Sequence, residues 1–249
     1  MARIINFVGN NAANSGQLIF EISKLISTKN KVCIFDMDFG VNQTVCLFDN
    51  FPKYDLKDCL IGDKRFEDVL CTSYKNLQLV KCNNVFFDYL KYKEEIKKII
   101  KNIEVDFDYI FIVGFNYDEL KFEFRSSIST EIIFVADNSV QSICFIKNIL
   151  KKSWAYNNII NKKIILNNHK VIAEINGKAL SKTKVEEILK IDVLFVKGLL
   201  TLNKKIKKVE FKLIADAIEE NRPIVYDYKK YFKRITGFFR RKFYERFER

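Results

Sequence analysis

Apolar residues along this chain follow two rhythms. Short apolar runs occur at Arg3–Val8 (R-I-I-N-F-V), Lys31–Phe35 (K-V-C-I-F), Tyr109–Val113 (Y-I-F-I-V) and Glu131–Ala136. Runs of this length with no polar alternation are what strands buried on both faces of a sheet require. Leu77–Lys81, Lys163–Leu166 and Asp192–Val196 read as further strands. Between them the spacing changes to three and four. Leu18, Ile19, Ile22, Leu25 and Ile26 mark one helix face, and Tyr92–Glu104 is a charged helix. Further helices are predicted from about Val140 to Lys151 and near Lys182–Leu189 and Phe211–Glu219. Strand and helix alternate, which favours parallel pairing through right-handed crossovers. The pattern predicts one doubly wound, mostly parallel α/β domain over residues 1–226, followed by a separate segment, 227–249.

That last segment has its own pattern, K-K-Y-F-K-R-I-T-G-F-F-R-R-K-F-Y-E-R-F-E-R from Lys229. Tyr231, Phe232, Ile235, Phe238, Phe239, Phe243 and Phe247 draw one apolar stripe along a helix, while Lys233, Arg234, Arg240, Arg241, Lys242 and Arg246 fill the other side. Only Gly237 weakens the helix, by about 1 kcal/mol relative to Ala. A helix with rings on one face and cations on the other suits the interface of an anionic membrane. The same stripe also suits packing on the domain's own core or on a second copy of the chain.

Charge strengthens the membrane reading. The chain carries a net charge of +12. The residues from Lys229 onward contribute +7 of it and the rest +5, so the excess sits at one end. The other simple reading is a solvated basic tail. No run of eighteen apolar residues is present to span a bilayer, and no signal peptide is expected at the start. The six cysteines, at 33, 46, 59, 71, 82 and 144, form no C-x-x-C pair, and His169 is the one histidine. They are expected to be reduced thiols of a cytoplasmic protein, with no metal bound.

The candidate chemistry lies after the first two strands. Gly9-Asn10-Asn11-Ala12-Ala13-Asn14-Ser15 joins the first strand to its helix, and the second strand ends in Asp36-Met37-Asp38-Phe39-Gly40. This order and spacing resemble the MinD/ParA family of P-loop ATPases. There a first strand leads through K-G-G-x-G-K-T into a helix, and a second strand ends in D-A-D-x-G. The resemblance implies a P-loop NTPase-like fold, ATP with magnesium as cofactor, and frequent dimerisation around the nucleotide. Phe107-Asp108-Tyr109-Ile110-Phe111-Ile112-Val113 resembles the strand that ends in a magnesium-organising aspartate, and Asn167 matches an asparagine that often reads adenine. Asn221-Arg222-Pro223-Ile224-Val225 resembles the family's final G-x-P-V-V segment, after which MinD-like proteins commonly carry a short membrane-targeting helix.

Departures from the family's pattern are concentrated where phosphate would bind. A phosphate loop uses glycines to aim backbone N–H groups and a lysine to neutralise β/γ charge. Here Gly9 and Asn14 stand at the two lysine positions, and Val113 stands at the aspartate. Ser15 alone keeps a hydroxyl suited to magnesium. The expectation is a catalytically degenerate member with no catalytic residues and no resident cofactor, leaving room only for weakly held Mg-ATP. Asp36 and Asp38 read either as remnants of that site or as strand-end caps, and Asn167 as an adenine reader or a turn residue.

The function so implied is a membrane-associated positioning or scaffold protein, cytoplasmic and peripheral on the inner face of the membrane. It would recruit protein partners, as in cell division, flagellar or pilus placement, and a homodimer remains an open arrangement. Two alternatives stand beside it. One is an active, divergent ATPase drawing a cation from Lys121, Lys147 or Lys170; the other is a ParA-like nucleic-acid-binding partition protein, the less favoured partner class. The stretch between Val41 and Asn76, with Asp49–Pro52, Asp55–Asp58 and Arg65–Asp68, differs from the family's expected pattern. It reads either as a partner-binding surface or as an ordinary insertion.

Overall fold

The computed structural model describes residues 1–9, 15–37, 47, 50, 52–82, 88–114, 119–152, 161–169, 179–198 and 204–223. Asn10, Asn11, Ala12, Ala13, Asn14, Asp38 and the basic segment 227–249 lie outside them. In chain order the elements are β1 (Arg3–Gly9), α1 (Ser15–Ile26), β2 (Val32–Asp36), α2 (Leu56–Leu60), α3 (Phe66–Val69), β3 (Cys71–Tyr74) and β4 (Leu77–Lys81). A 3₁₀ turn (Tyr89–Tyr92) then leads into α4 (Lys93–Ile103), β5 (Tyr109–Gly114), α5 (Glu119–Ser127), β6 (Glu131–Ala136) and α6 (Val140–Lys152). The described part closes with β7 (Asn161–His169), α7 (Lys182–Leu189), β8 (Asp192–Gly198) and α8 (Lys204–Glu219).

Eight strands form one sheet in the order β3-β4-β2-β5-β1-β6-β7-β8. Every pairing is parallel except the antiparallel β3–β4 edge. Alternating side chains commit each strand to two cores. Ile5, Phe7, Ile34, Phe111 and Val113 pack under α1 and α8. Ile4, Phe35, Ile110 and Ile112 pack under α2 and α4, and Val8, Phe134 and Ile164 under α5, α6 and α7. Phe7 and Phe111 meet edge to face at 5.1 Å in the middle of the first core. Burying side chains of this size contributes about 1.5–3 kcal/mol each. This is the doubly wound, mostly parallel sheet that the apolar runs predict.

The differences from the sequence pattern have local causes. Strand β7 extends beyond Lys163–Leu166 at both ends, because β6 pairs from Asn161 onward and β8 pairs as far as His169. Helix α8 starts at Lys204, seven residues before its expected start. Its first turn has no acidic residue to mark a helix start, and four lysines among residues 204–208 obscure the apolar pattern before Phe211. The edge strand β3 and the short helices α2 and α3 occupy the insertion, and α5 follows β5.

The amino-terminal edge of the sheet is closed by a polar network. Glu131, 1% exposed, accepts from Arg3 Nη2 at 2.6 Å and from Arg3 Nε at 3.2 Å, and pairs with Lys163 Nζ at 3.3 Å. Arg3 also donates to the carbonyl of Ile218, and both cations donate to Asn221 Oδ1. Asn221 sits at φ 56° just past α8, a left-handed turn that asparagine tolerates. The three strands β1, β6 and β7 and the end of α8 are thereby tied together.

Candidate functional site

Parallel α/β sheets bind ligands outside the carboxyl ends of their strands, where the winding direction changes. Here that point surrounds β1. Gly9 pairs with Val135 of β6, Val8 with Gly114 of β5, and Val113 with Asp36 of β2. Gly9, Asp36 and Val113 therefore share one edge of the sheet. Ser15 is the first residue of α1 and is buried. Asp36 is also buried and keeps the parity of Val32 and Ile34, on the α1 side of the sheet. Asn167 is 2% exposed and lies within β7 rather than in a turn, two strands from β1, or about 10 Å.

Val113 is completely buried in the α1-side core. It offers no ligand to a cation or to a cation's water. Behind the next residue lies a feature that the sequence reading missed. Arg125 of α5 is 1% exposed, and its guanidinium lies against Gly114 on the opposite face from α1. A Cβ on Gly114 would fall 2.8 Å from Arg125 Nε, so any larger residue there requires the guanidinium to shift. The signal was the glycine ending an otherwise β-branched and aromatic run, which marks a close approach. What approaches it was not legible.

On the other side of β1 a crevice beside Gly9 is walled by Val8, Phe134, Ala136, Phe145 and Ile149. Its apolar lining presents no donor to a phosphate. Beyond it, Asp137 accepts from Ser139 N at 3.1 Å and Ser139 Oγ at 2.6 Å, and Ser139 Oγ accepts from Ser142 N at 3.2 Å. These bonds start α6. Asn138 exchanges bonds with Leu180, donating at 3.0 Å and accepting at 2.9 Å, which fastens the chain before α7 to the end of β6.

The β2 side is acidic, with Asp36 buried and Asp55 half-buried. Burial pushes the Cys82 thiol well above the usual value, and the neighbouring charges of Asp36 and Asp55 push it further. Burial likewise raises the Asp55 carboxyl, against the opposing pull of the Lys57 backbone N–H. Cys33 is pushed far up by burial alone. Among the described residues no group of three His, Cys, Asp or Glu side chains could hold a metal ion, and no helix is long and apolar enough to cross a membrane.

No protein-family model matches the sequence, and no curated protein matches it. Solved structures do match. The MinC:MinD cell division complex of Aquifex aeolicus superposes with a TM-score of 0.74 at 18% identity, covering 91% of this chain and 100% of that one. MinD of Pyrococcus horikoshii OT3, complexed with Mg-ADP, gives 0.69 at 17% identity, covering 88% and 96%. A ParA family ATPase from Chlorobium tepidum TLS gives 0.65 at 17% identity, covering 90% and 95%. The chain has the MinD/ParA-like P-loop fold.

Proposed function

We propose that this chain is a non-hydrolysing, MinD-like scaffold. It would attach peripherally to the inner face of an anionic membrane through residues 227–249 and gather protein partners there. The observation that carries the loss of catalysis is the end of β5. Apolar Val113 stands where the resembled family has its magnesium-organising aspartate, and the residue beside it is backed by a buried arginine. Phosphoryl transfer depends on positioning and on stabilising developing charge. With Gly9 and Asn14 in place of both lysines and Val113 in place of the carboxylate, Ser15 and Asp36 are left of the described donors. That set does not fit Mg-ATP chemistry.

Attachment is supported by the aromatic-basic stripe of the last segment. A protein partner is supported by analogy of fold, since the Aquifex aeolicus neighbour is a MinC:MinD complex. Buried Asp36 and Asn167 favour a second reading, in which a nucleotide is held weakly and without turnover. Calorimetric titration of the full chain with ATP and magnesium separates the readings. The proposal expects no binding tighter than millimolar and no phosphate release. Micromolar binding with turnover would overturn it and restore the divergent-ATPase alternative.

A further inference from the structure

The sheet's two outer strands are finished differently. Strand β3 is short and partly polar, with Thr72 and Ser73 among its four residues and a register shift between Thr72 and Tyr74. Shortness and irregularity blunt an outer strand against further pairing. Strand β8 runs for seven residues, Asp192–Gly198, in the order D-V-L-F-V-K-G. Among the described residues it pairs on one side only, with β7. A strand of that length, apolar between one acid and one base, is a ready template for another strand.

The ladder with β7 fixes which backbone groups of β8 point away from the sheet. Val193 pairs with Ile164, and Val196 with Leu166. Those partners lie two residues apart while the valines lie three apart, so Leu194 is an extra residue in β8. Val193 and Val196 therefore stand in the same phase of the ladder and turn their backbone groups to the same side. The N–H of Val193 is taken by Glu186 Oε1 of α7 at 3.1 Å. A side-chain carboxylate there fills the place of a neighbouring strand's carbonyl. The Glu186 side chain is 33% exposed and pairs with Lys182 Nζ at 3.5 Å, an exposed contact that is easily exchanged.

Antiparallel strands match only in phase. Around a two-fold axis between Leu194 and Phe195, Val193 stands opposite Val196 of a second copy, and Asp192 stands opposite its Lys197. The extra residue at Leu194 is what keeps both matches in phase. The valine match is the hydrogen-bonded kind, so the Asp192–Lys197 match is the kind that brings side chains closest. Symmetry makes that favourable charge pair twice. No other register sets the strand's one acid against its one base.

We propose that β8 is an interface for a second copy of this chain, joined strand to strand so that two eight-stranded sheets become one. Glu186 is the guard that gives up the Val193 N–H when the copies meet. The strand's complementarity to itself selects a second copy over an unrelated peptide. The pairing needs no nucleotide and does not rest on the membrane reading; where that reading also holds, each pair carries two attached segments.

The test is sedimentation velocity of the full-length protein over a concentration series, without lipid or nucleotide. The parent should pass from monomer to dimer. Asp192→Lys or Lys197→Asp alone sets like charges opposite each other twice, and each should weaken association about tenfold. The two substitutions together restore opposite charges and should return most of it. Glu186→Ala releases the Val193 N–H and should strengthen association. Melting curves check that all variants fold. A parent that stays monomeric, a double variant as weak as either single one, or weaker association in Glu186→Ala would overturn the interface. So would association that ignores the charge variants but is lost with Phe238→Glu and Phe239→Glu, which would place the contact in the last segment instead.

Discussion

The two edges of the sheet are built on opposite principles. At the amino-terminal edge Glu131 is buried between Arg3 and Lys163, and Asn221 joins both cations to the end of α8. There two cations share one carboxylate and one side-chain amide oxygen. At the carboxyl edge the buried groups come from separate elements: Asp36 from β2, Arg125 from α5 and Asn167 from β7. Val113 interrupts them with an apolar side chain. The first edge reads as a fastening of the fold. The second lies at the carboxyl ends of the strands, where parallel α/β sheets bind ligands, and it is there that the proposed loss of Mg-ATP chemistry would reside. The contrast teaches that a fold can keep its stability while its site changes, because the two reside at opposite ends of the same strands.

The largest expected effect is at the fastening. Glu131→Ala leaves two cations facing each other without their carboxylate, and removing one partner of a buried pair costs about 3–5 kcal/mol. Urea denaturation should register that loss, whereas an equal loss from a carboxyl-edge variant would erase the contrast. Next in size is Gly114→Ala, which drives a methyl into the Arg125 guanidinium and should cost about 1–3 kcal/mol. The cost should shrink in an Arg125→Ala background. A cycle of the four proteins that returned simple additivity would mean that the close approach has no energetic weight.

A smaller effect concerns the thiols. Exposed Cys144 should react with iodoacetamide well before buried Cys33 and Cys82. Because burial raises both buried pKa values, thiolate stays scarce there, and raising the pH from neutrality to about 9 should leave those two silent. In Gly114→Ala, faster labelling of Cys82 with Cys33 still protected would localise the loosening to the carboxyl edge. The smallest expected effect is none. Gly9→Lys with Asn14→Lys should still release no phosphate from ATP, since Val113 supplies no carboxylate. Measurable turnover would locate the missing function in the loop alone.

Most of the scaffold was legible because burial on both faces leaves an unmistakable apolar run. Glu131–Ala136 and Lys182–Leu189 have the bounds that the pattern predicts. The start of α8 was not legible, since Lys204 to Lys208 carry charge rather than a stripe. Nor was β3, whose four residues include Thr72 and Ser73 and hold an irregular antiparallel edge. For the carboxyl edge, the strand ends at Gly9, Asp36 and Val113 were legible from the apolar runs that they close. Arg125 escaped because its burial depends on a glycine eleven residues earlier in the chain, on a different element. The shared phase of Val193 and Val196 escaped because it depends on the extra residue at Leu194, which only the pairing with β7 shows.

The central claim is attachment without a nucleotide switch. Dimerisation on ATP would double the number of attached segments and so raise membrane affinity, so the proposed scaffold is distinguished by binding that does not depend on ATP. The direct measurement is co-sedimentation of the full-length protein with phosphatidylglycerol vesicles, with and without Mg-ATP, beside the Phe238→Glu, Phe239→Glu double variant. The account predicts equal binding of the parent protein in both conditions and loss of binding in the variant. Binding that appears or disappears with ATP, or a variant that sediments like its parent, would contradict it.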